Sequence, residues 1–343
     1  MRRLVVGAMA VGAITAVGGA AMLWQAWQVL NRPVGAAAQG YLLDVGEGRS
    51  LREIADQLAA DGIVDQPLLW RAYARWQQLD QKIQAGEYVL DATISQRGIL
   101  DKLVAGEVYL HSLTLVEGWT LRELLTAVAE HPAIRSTLTT GDPEQLPAAL
   151  GLELAHAEGW FFPDTYRFPR GTSDAALLLQ AHALMEEKLA SAWAERADGL
   201  PLEDAYDALI LASIVERETA LDVERPRVAG VFVRRLQKGM RLQTDPTVIY
   251  VMGPSFDGNL RRKDLRTHTP DNTYPRRGLP PTPTALPGEA SLRAAVNPAD
   301  EEALYFVATG LPDGTHTFSA TLDDHNAAVT AYLDRLRARK DGS

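Results

Sequence analysis

The chain begins with a long apolar run. Residues 4–30 contain no charged side chain, and the stretch up to Trp24 alone would form a helix about 31 Å long, close to the hydrocarbon thickness of a bilayer. Arg2 and Arg3 precede the run, and Trp24 and Trp27 lie near its end, as the positive-inside rule and the aromatic belt predict for a membrane span. The pattern therefore predicts a single transmembrane helix.

This span orders the chain into a cytoplasmic stub at 1–3, a membrane anchor at 4–30 and an exported part from residue 31 onward. Residues 31–40 lack apolar periodicity and are predicted to form a tether. A cleaved signal peptide is the open alternative, because small residues occur at 19–21. The run is, however, longer than the roughly 7 to 15 residues of a typical signal core.

The segment 41–110 is predicted to be a small module of strands and short helices. The predicted elements are a strand at Tyr41–Val45, a helix opened by the Ser50–Glu53 capping box, a helix after Pro67, a strand at Gly86–Leu90 and a helix at Ser95–Val104. The order strand, helix, helix, strand resembles LysM modules, which are small and recognise carbohydrate. We therefore expect a LysM-like glycan-binding module at 41–110.

Two short segments of the chain have similar sequences. Residues 47–54 and 117–124 each follow an apolar segment, and both predict a strand, a turn and a capped helix. Two explanations stay open: a duplicated subdomain, or the same helix-start chemistry used twice.

The remainder, 111–343, is predicted to form a larger domain of mixed helices and strands, which makes the fold class α+β. Helices are predicted at 174–197, 203–221, 225–238 and 325–339, and strands at 247–252 and 304–309. Seven prolines between Pro246 and Pro283 preclude a continuous helix there. We expect this proline-rich stretch to be an ordered substrate-binding wall.

The composition of the chain excludes several kinds of site and several enzyme classes. The 343 residues include no cysteine, which excludes disulfides, thiolate metal sites and a cysteine nucleophile. With 34 basic and 44 acidic residues the net charge is -10, which argues against a nucleic-acid binder. The usual serine-hydrolase, zinc-protease and phosphate-loop motifs are absent, and the seven histidines show no metal-ligand spacing. We expect neither a metal nor an organic cofactor.

The segment Ala208–Ala220 is predicted to be a helix that ends in charged residues. At about 100° per residue, Ile210 and Val215 belong to an apolar stripe, and Glu218 points in the same direction while Glu216 lies on the other side. Desolvation would raise the pKa of a carboxyl there and keep it protonated as a general acid. The alternative, an exposed Glu218 on a frayed last turn, stays open on periodicity alone.

Six segments give the chain a family resemblance. In chain order they are Glu158–Thr165, Ala212–Ala220, Gly239–Tyr250, Asp271–Tyr274, Gly278–Pro281 and Gly314–Phe318. Together with the N-terminal span and the LysM-like module, they resemble the endolytic murein transglycosylase family, also called YceG-like, over nearly the whole chain. Glu218 followed by Thr219 is similar to the catalytic signature of lysozyme-like lytic transglycosylases. The resemblance implies that the helix Ala208–Ala220 is a lysozyme-like catalytic helix.

The resemblance implies a membrane-anchored lytic transglycosylase, a carbon–oxygen lyase that acts on peptidoglycan. The family cleaves the β-1,4 bond between N-acetylmuramic acid and N-acetylglucosamine in nascent strands without water, leaving 1,6-anhydro-muramyl ends and terminating strand elongation. It implies Glu218 as the catalytic residue, and Glu216 is the reserve candidate. The implied location is the inner (plasma) membrane with a periplasmic or extracytoplasmic catalytic part, and the implied partners are peptidoglycan and synthases of the same membrane.

Eight further residues are candidates for contact with the glycan. They are Glu158, Trp160, Asp164, Thr219, Gln243, Asp245, Asn272 and Tyr274. Amides suit N-acetyl and hydroxyl groups, aromatic faces suit sugar rings, and Asp245 is also a candidate distant partner of Glu218. For most of these residues, core packing, loop hydrogen bonding or turn capping is an open alternative.

Two rival functions also stay open. A hydrolase of the same bond would differ only in that water, and not the muramyl 6-hydroxyl, attacks the sugar. A non-catalytic glycan-binding scaffold would use the LysM-like module and leave Glu218 without a chemical role.

Overall fold

Helix α1, Arg2–Asn31, begins the chain in the computed structural model, which describes the backbone of residues 2–341. Side chains at 2–14, 36, 340 and 341 lie outside this description. The predicted cytoplasmic stub and the first part of the predicted anchor fall on residues outside it. Among the residues that are fully described, no helix is both long enough and apolar enough to cross a membrane. The anchor stays a prediction from the sequence.

The chain divides into two units. The first contains the residues up to His111 together with Arg167–Gly171, and the second contains Ser112–Tyr166 and the chain from Thr172 onward. The division after His111 lies one residue from the domain boundary drawn from the sequence. The segment Arg167–Gly171 belongs to the first unit although it lies far along the chain, and the sequence gives no local signal for that.

The first unit has the strand and helix order that the sequence predicts. Its elements are β1 (Tyr41–Val45), α2 (Leu51–Ala60), α3 (Pro67–Trp76), β2 (Gly86–Leu90) and α4 (Gln96–Ala105). Strands β1 and β2 pair antiparallel, with Tyr41 opposite Leu90. Ser50 and Glu53 form the predicted capping box at the start of α2, which satisfies amides that the first helical turn leaves free. Likeness to a LysM module stays a prediction.

A buried cluster holds this unit together. Leu43 from β1, Leu58 from α2, Trp70 from α3 and Tyr88 from β2 are fully buried in it. The Trp70 indole N–H donates to the Gln96 carbonyl oxygen at 2.7 Å, so the largest side chain of the cluster leaves no buried donor unpaired.

The segment predicted as a tether, 31–40, is part of the first unit. It contains a short 3-10 helix at Gly35–Ala38, and its Val34 and Gly35 amides donate to carbonyls of residues 94 and 92. The tether interpretation is therefore corrected. Its small and apolar residues show no helical or strand period. They contact the loop before α4.

The second unit is α+β, as predicted. Its helices are α5 (Leu121–Glu130), α6 (Leu146–Leu150), α7 (Asp174–Ala194), α8 (Ala205–Glu218), α9 (Arg225–Gln237), α10 (Asp245–Met252), α11 (Arg262–Arg266), α12 (Glu289–Val296) and α13 (Leu322–Asp341). Its strands form two-stranded sheets, β3 (Leu110–Thr114) with β4 (Thr165–Pro169) and β5 (Tyr305–Ala308) with β6 (His316–Ser319). The division between the two units falls within β3 and β4.

Helix α8 is the core of the second unit. All residues from Ala208 to Val215 are buried, and α7, α9 and α12 pack around them. Because Leu209 is buried as completely as Ile210, the helix is apolar on every side, and the single apolar stripe predicted from the sequence is corrected. Asp204 caps the start of α8 by accepting a hydrogen bond from the Asp207 amide.

The proline-rich stretch differs from the prediction at one element. Residues 247–252, predicted as a strand, belong to helix α10. Their β-branched residues favour a strand, but Pro246 fits the first turn of a helix, and Thr247 and Val248 are buried on one side of it. Strand β5 lies where 304–309 was predicted, and β6 pairs with it although no strand was predicted there.

Candidate active site

Glu218 is the last residue of α8 and lies where the buried helix reaches the protein surface. The next residue, Thr219, has extended backbone angles of -144° and 136°, so the helix ends there. Glu218 is half-buried and lines a cleft of 570 Å³ together with Trp119 and Arg225. The geometry differs from that of an exposed carboxylate on a frayed turn.

Burial controls the ionisation of Glu218. It raises the pKa of this carboxyl from 4.5 to about 7, and the nearby carboxylate of Asp245 raises it as well. The Thr244 hydroxyl, which donates to Glu218 Oε1, and the more distant Arg235 guanidinium lower the pKa, but burial outweighs them. No ion pair to Glu218 forms among the described residues, and with a pKa of about 7 roughly half of the carboxyl is protonated at neutral pH.

A cluster of three buried threonines positions the Thr244 hydroxyl. The Thr244 amide donates to Thr273 Oγ1 at 3.2 Å, and Thr247 Oγ1 donates to the Thr244 carbonyl at 2.8 Å. The hydroxyls of Thr247 and Thr273 lie 3.0 Å apart. These bonds join the start of α10 to the loop at 271–274, so two of the segments that carry the family resemblance meet beside Glu218.

Gln243 has a backbone conformation that non-glycine residues rarely adopt. Its φ is 50°, and its amide donates to the Thr273 carbonyl at 3.3 Å. Such left-handed residues cost free energy and persist where the surrounding structure enforces them, often at functional sites. Here the strained turn brings Thr244 to Glu218, and the Gln243 side chain itself is exposed.

Asp245 and Tyr274 form a pair next to Glu218. The Tyr274 hydroxyl donates to Asp245 Oδ1 at 2.5 Å. Burial and the Asp245 carboxylate both raise the pKa of Tyr274. The structure thus brings these two predicted residues together with Glu218, and Asp245 acts on Glu218 through its charge.

Glu216, the reserve candidate, is held in an ion pair. Arg225 Nη2 donates to its Oε1 at 3.0 Å, and the Gly288 amide donates to its Oε2 at 2.9 Å. Only 4 % of the side chain is exposed. Both oxygens are therefore engaged in joining α8 to α9 and to the start of α12.

Two residues predicted to contact the glycan are satisfied within the protein. Asn272 is buried, and its Nδ2 donates to the carbonyls of Asp264, Leu265 and Thr267. Its Oδ1 accepts from the Tyr274 amide at 2.9 Å, so the side chain organises its own loop.

Thr219 is buried as well. Its hydroxyl accepts from the Leu221 amide at 3.1 Å and lies 3.5 Å from Glu224 Oε2. Glu224 in turn binds His316 through the backbone amide and the ring. For Thr219 and Asn272 glycan contact stays a prediction, and their burial and internal hydrogen bonds fit the open alternative of core packing and loop hydrogen bonding.

The aromatic segment at 158–165 divides into three environments. Glu158 is buried beside a separate cleft of 780 Å³, and burial raises its pKa to about 7. Trp160 stacks on Tyr206 with ring centroids 5.8 Å apart and planes 7° apart, as a packing residue does. Asp164 is exposed and accepts from the Thr165 amide at 2.6 Å, as a turn residue does.

Sequence reasoning missed Thr244, Arg235 and Tyr250. Thr244 lies between Gln243 and Asp245, two of the candidate glycan contacts, so its position in the chain was the available signal. Arg235 reaches the site from α9, where it donates to the Leu242 and Leu304 carbonyls, and nothing local in the sequence marks it. Among the described residues no group of His, Asp or Glu could hold a metal ion.

Comparison with known proteins agrees with this architecture. The model of the YceG-like family matches residues 43–331, so the chain belongs to the YceG-like family, which confirms the resemblance noted in the sequence.

Two curated relatives are named endolytic murein transglycosylase. The Bacillus subtilis (strain 168) protein is 28 % identical over 308 residues, which cover 85 % of this chain and 84 % of the relative. The Streptococcus pneumoniae serotype 2 (strain D39) protein is 27 % identical over 336 residues, which cover 88 % of this chain and 60 % of the relative.

A solved structure is also similar. The crystal structure of a Listeria monocytogenes protein described as YceG-like has a TM-score of 0.52 and 28 % sequence identity. The match covers 84 % of this chain and 99 % of that one.

The Thr244 hydrogen bond can be tested through the titration of Glu218. Thr244→Val removes the donor that stabilises the charged carboxylate, so we expect the pKa of Glu218 to rise above its value of about 7. Thr244→Ser keeps the donor and should leave the pKa near about 7. Carbon-13 NMR titration of labelled glutamate measures both, and an unchanged pKa in Thr244→Val would show that the hydrogen bond does not form in solution.

Proposed function

We propose that this chain is a lytic transglycosylase, a carbon–oxygen lyase that cleaves the β-1,4 bond between N-acetylmuramic acid and N-acetylglucosamine in nascent murein strands. The observation that carries the proposal is a single half-buried carboxyl, Glu218, with a pKa raised to about 7 at the end of the core helix of the unit. The names of the curated relatives support the same reaction. Cleavage inside nascent strands would terminate their elongation.

One carboxyl group suffices for the reaction. Protonated Glu218 gives its proton to the glycosidic oxygen as the bond to C1 of the muramyl sugar breaks. The resulting carboxylate takes the proton of the muramyl 6-hydroxyl while that oxygen bonds to C1. The product is a 1,6-anhydro ring, and Glu218 ends in its starting protonation state. Because Thr244 occupies Oε1, the other oxygen, Oε2, is the one that serves the substrate.

The surroundings of Glu218 favour this route over a two-carboxylate hydrolase. Hydrolases of glycosidic bonds use a second free carboxylate as base or nucleophile. Glu216 is bound to Arg225 and to the Gly288 amide, and Asp245 accepts the Tyr274 hydroxyl. Both oxygens of Glu216 are engaged, whereas only Oδ1 of Asp245 is, so Asp245 is the neighbour through which a hydrolase would have to work, and the products of cleavage distinguish the two routes.

We further propose that residues 4–30 anchor the chain in the inner (plasma) membrane and that the chain from residue 31 onward lies on its outer, periplasmic side. The uncharged run and its flanking arginines support this location. The β-α-α-β order of the first unit supports a LysM-like role in holding the glycan. Peptidoglycan synthases of the same membrane are the proposed partners, since nascent strands emerge from them.

Glu218→Gln tests the catalytic role. Gln has nearly the same shape and lacks the proton, so we expect cleavage of murein strands to fall by about 10² to 10⁴-fold with the fold retained. The exposed Glu130→Gln is the matched control and should keep full activity. Mass spectrometry of wild-type products should show ends lighter than reducing sugars by one water. Reducing ends would identify a hydrolase, and unchanged turnover in Glu218→Gln would place the chemistry elsewhere.

The pH dependence of cleavage follows from the raised pKa. The acid form of Glu218 starts the reaction, and its population falls as pH rises through about 7. We expect kcat/KM to fall about tenfold per pH unit on the alkaline side. Glu158 titrates in the same range. If Glu218 causes the alkaline fall in kcat/KM, that fall must therefore persist in Glu158→Gln. If the alkaline fall in kcat/KM disappears in Glu158→Gln, Glu158 and not Glu218 causes it.

Membrane anchoring has its own test. The full chain should sediment with membranes and need detergent for extraction, whereas a chain that starts at residue 31 should be released. A soluble mature protein that starts near residue 22 or 39 would show a cleaved signal instead.

A further inference from the structure

Strand β6 contains most of Gly314–Phe318, a segment that carries part of the family resemblance but lies outside the described lining of the cleft at Glu218. Because β6 pairs with β5 in a two-stranded sheet, its other edge has amides that β5 does not bind. This edge meets the start of α9, where Glu224 accepts a hydrogen bond from the His316 amide at 2.9 Å. The segment is therefore joined to α9 through one carboxylate.

Glu224 and His316 form a buried pair with two points of contact. While Glu224 Oε1 accepts from the His316 amide, Oε2 lies 2.7 Å from His316 Nδ1. An ionised carboxylate only accepts, so Nδ1 carries the hydrogen of this contact. The side chains of Glu224 and His316 are 6 % and 14 % exposed, and hydrogen bonds to a charged group are strong away from bulk water. The pair therefore holds the start of α9 firmly on β6.

A third contact of Glu224 leads to Glu218. Its Oε2 also lies 3.5 Å from the hydroxyl of Thr219, the residue that directly follows Glu218. Thr219 is buried, and its amide donates to the Val215 carbonyl as the last hydrogen bond of α8. The backbone that carries Glu218 is therefore fixed by α8 on one side and by Glu224 on the other.

The direction of the Glu224 side chain is unusual for its place in the chain. Glu224 occupies the N-cap position of α9, where a carboxylate commonly accepts hydrogen bonds from amides of the first helical turn. Within the described structure its side chain caps none of those amides. The carboxylate is directed at His316 and Thr219 instead, so its contacts serve the junction between α8 and β6 and not the start of its own helix.

A general acid needs such a junction, because its carboxyl must stay within hydrogen-bond reach of the oxygen that receives the proton. Displacement of a reacting group by about 1 Å can lower a rate by about 10²-fold. Thr244 holds the Glu218 side chain at Oε1, and the backbone of Glu218 needs an equally firm support. Thr219 supplies that support only as long as Glu224 stays in place.

We propose that Glu224 and His316 are positioning residues for Glu218, which hold the end of α8 in place through Thr219. The inference rests on the proposed function, in which Glu218 is the general acid. The pair acts through the backbone, so it exchanges no proton with the glycan. It also gives the segment Gly314–Phe318 a part in the reaction although the segment lies outside the cleft lining.

His316→Leu tests the pair, because it removes the ring donor and keeps the backbone amide. The end of α8 should loosen, and we expect kcat for strand cleavage to fall about 10- to 100-fold with a much smaller change in KM. His316→Asn keeps an N–H donor near the place of Nδ1 and should recover most of the lost kcat. Phe318→Leu also disturbs the packing of β6 but leaves the contacts of Glu224 in place, so this matched control should keep its kcat.

Carbon-13 NMR titration of Glu218 supplies a readout that needs no substrate. Burial raises the pKa of this carboxyl from 4.5 to about 7, so water that enters a loosened site should lower it. We expect a shift of about one unit toward 4.5 in His316→Leu and a return to about 7 in His316→Asn. Phe318→Leu should titrate like the parent chain.

The outcomes separate positioning from general stability. Losses in kcat and in the pKa of Glu218 that His316→Asn reverses support the pair. Unchanged values in His316→Leu overturn it, and so do equal losses in His316→Asn and Phe318→Leu. Should His316→Leu lose its thermal unfolding transition, Thr219→Val decides by the same titration, and an unchanged pKa of Glu218 then overturns the proposal. Because the titration needs no turnover, failure of the proposed reaction would show separately, in the products.

Discussion

The burial of α8 is the constraint on which the rest of the second unit depends. A helix that is apolar on every side must be covered on every side, and α7, α9 and α12 supply that cover. The cover ends with the helix, so its last residue, Glu218, stands between the core and a cleft. The protein that surrounds the carboxyl disfavours its charged form, so the same packing that stabilises the unit raises the pKa of Glu218 to about 7 and keeps roughly half of it protonated at neutral pH.

The loops around Glu218 place a hydrogen-bond donor beside the carboxyl at the end of α8. The turn at Gln243 adopts a φ of 50°, which is unfavourable for glutamine, and the buried bonds among Thr244, Thr247 and Thr273 enforce it. The strain at Gln243 is thus offset by the hydrogen bonds among the three threonines, which direct the Thr244 hydroxyl toward Glu218. Asn272 has a similar task, because its amide binds three carbonyls of the preceding loop and fixes the backbone next to Tyr274.

Glu158 and Glu218 illustrate that a similar pKa does not mean a similar role. Burial raises both to about 7, but Glu218 meets a threonine hydroxyl at the end of the core helix, whereas Glu158 binds a backbone amide and a tyrosine. Of these two carboxyls, Glu218 combines an open oxygen with a position in the last turn of a buried helix, as proton transfer to a substrate requires. The backbone amide and the tyrosine that Glu158 binds both belong to the protein itself.

The sequence by itself determined what local chemistry decides: both capping boxes, the bounds of α7 and α9 within a few residues, the α+β class and the family. Period and capping are properties of neighbouring residues, but the period could not single out Glu218, because α8 is buried on every side and the Glu216 side chain is only 4 % exposed. The family resemblance carried that prediction. Whether Thr219, Asn272 and Glu216 were free or occupied was decided only by the tertiary structure, since their partners lie on other segments. The same holds for α10, where β-branched residues favour a strand until Pro246 and the buried threonines fix a helix. Arg235 had no local signal, because long-range packing alone brings it to the site, whereas Tyr250 ends the segment Gly239–Tyr250 that carries part of the family resemblance.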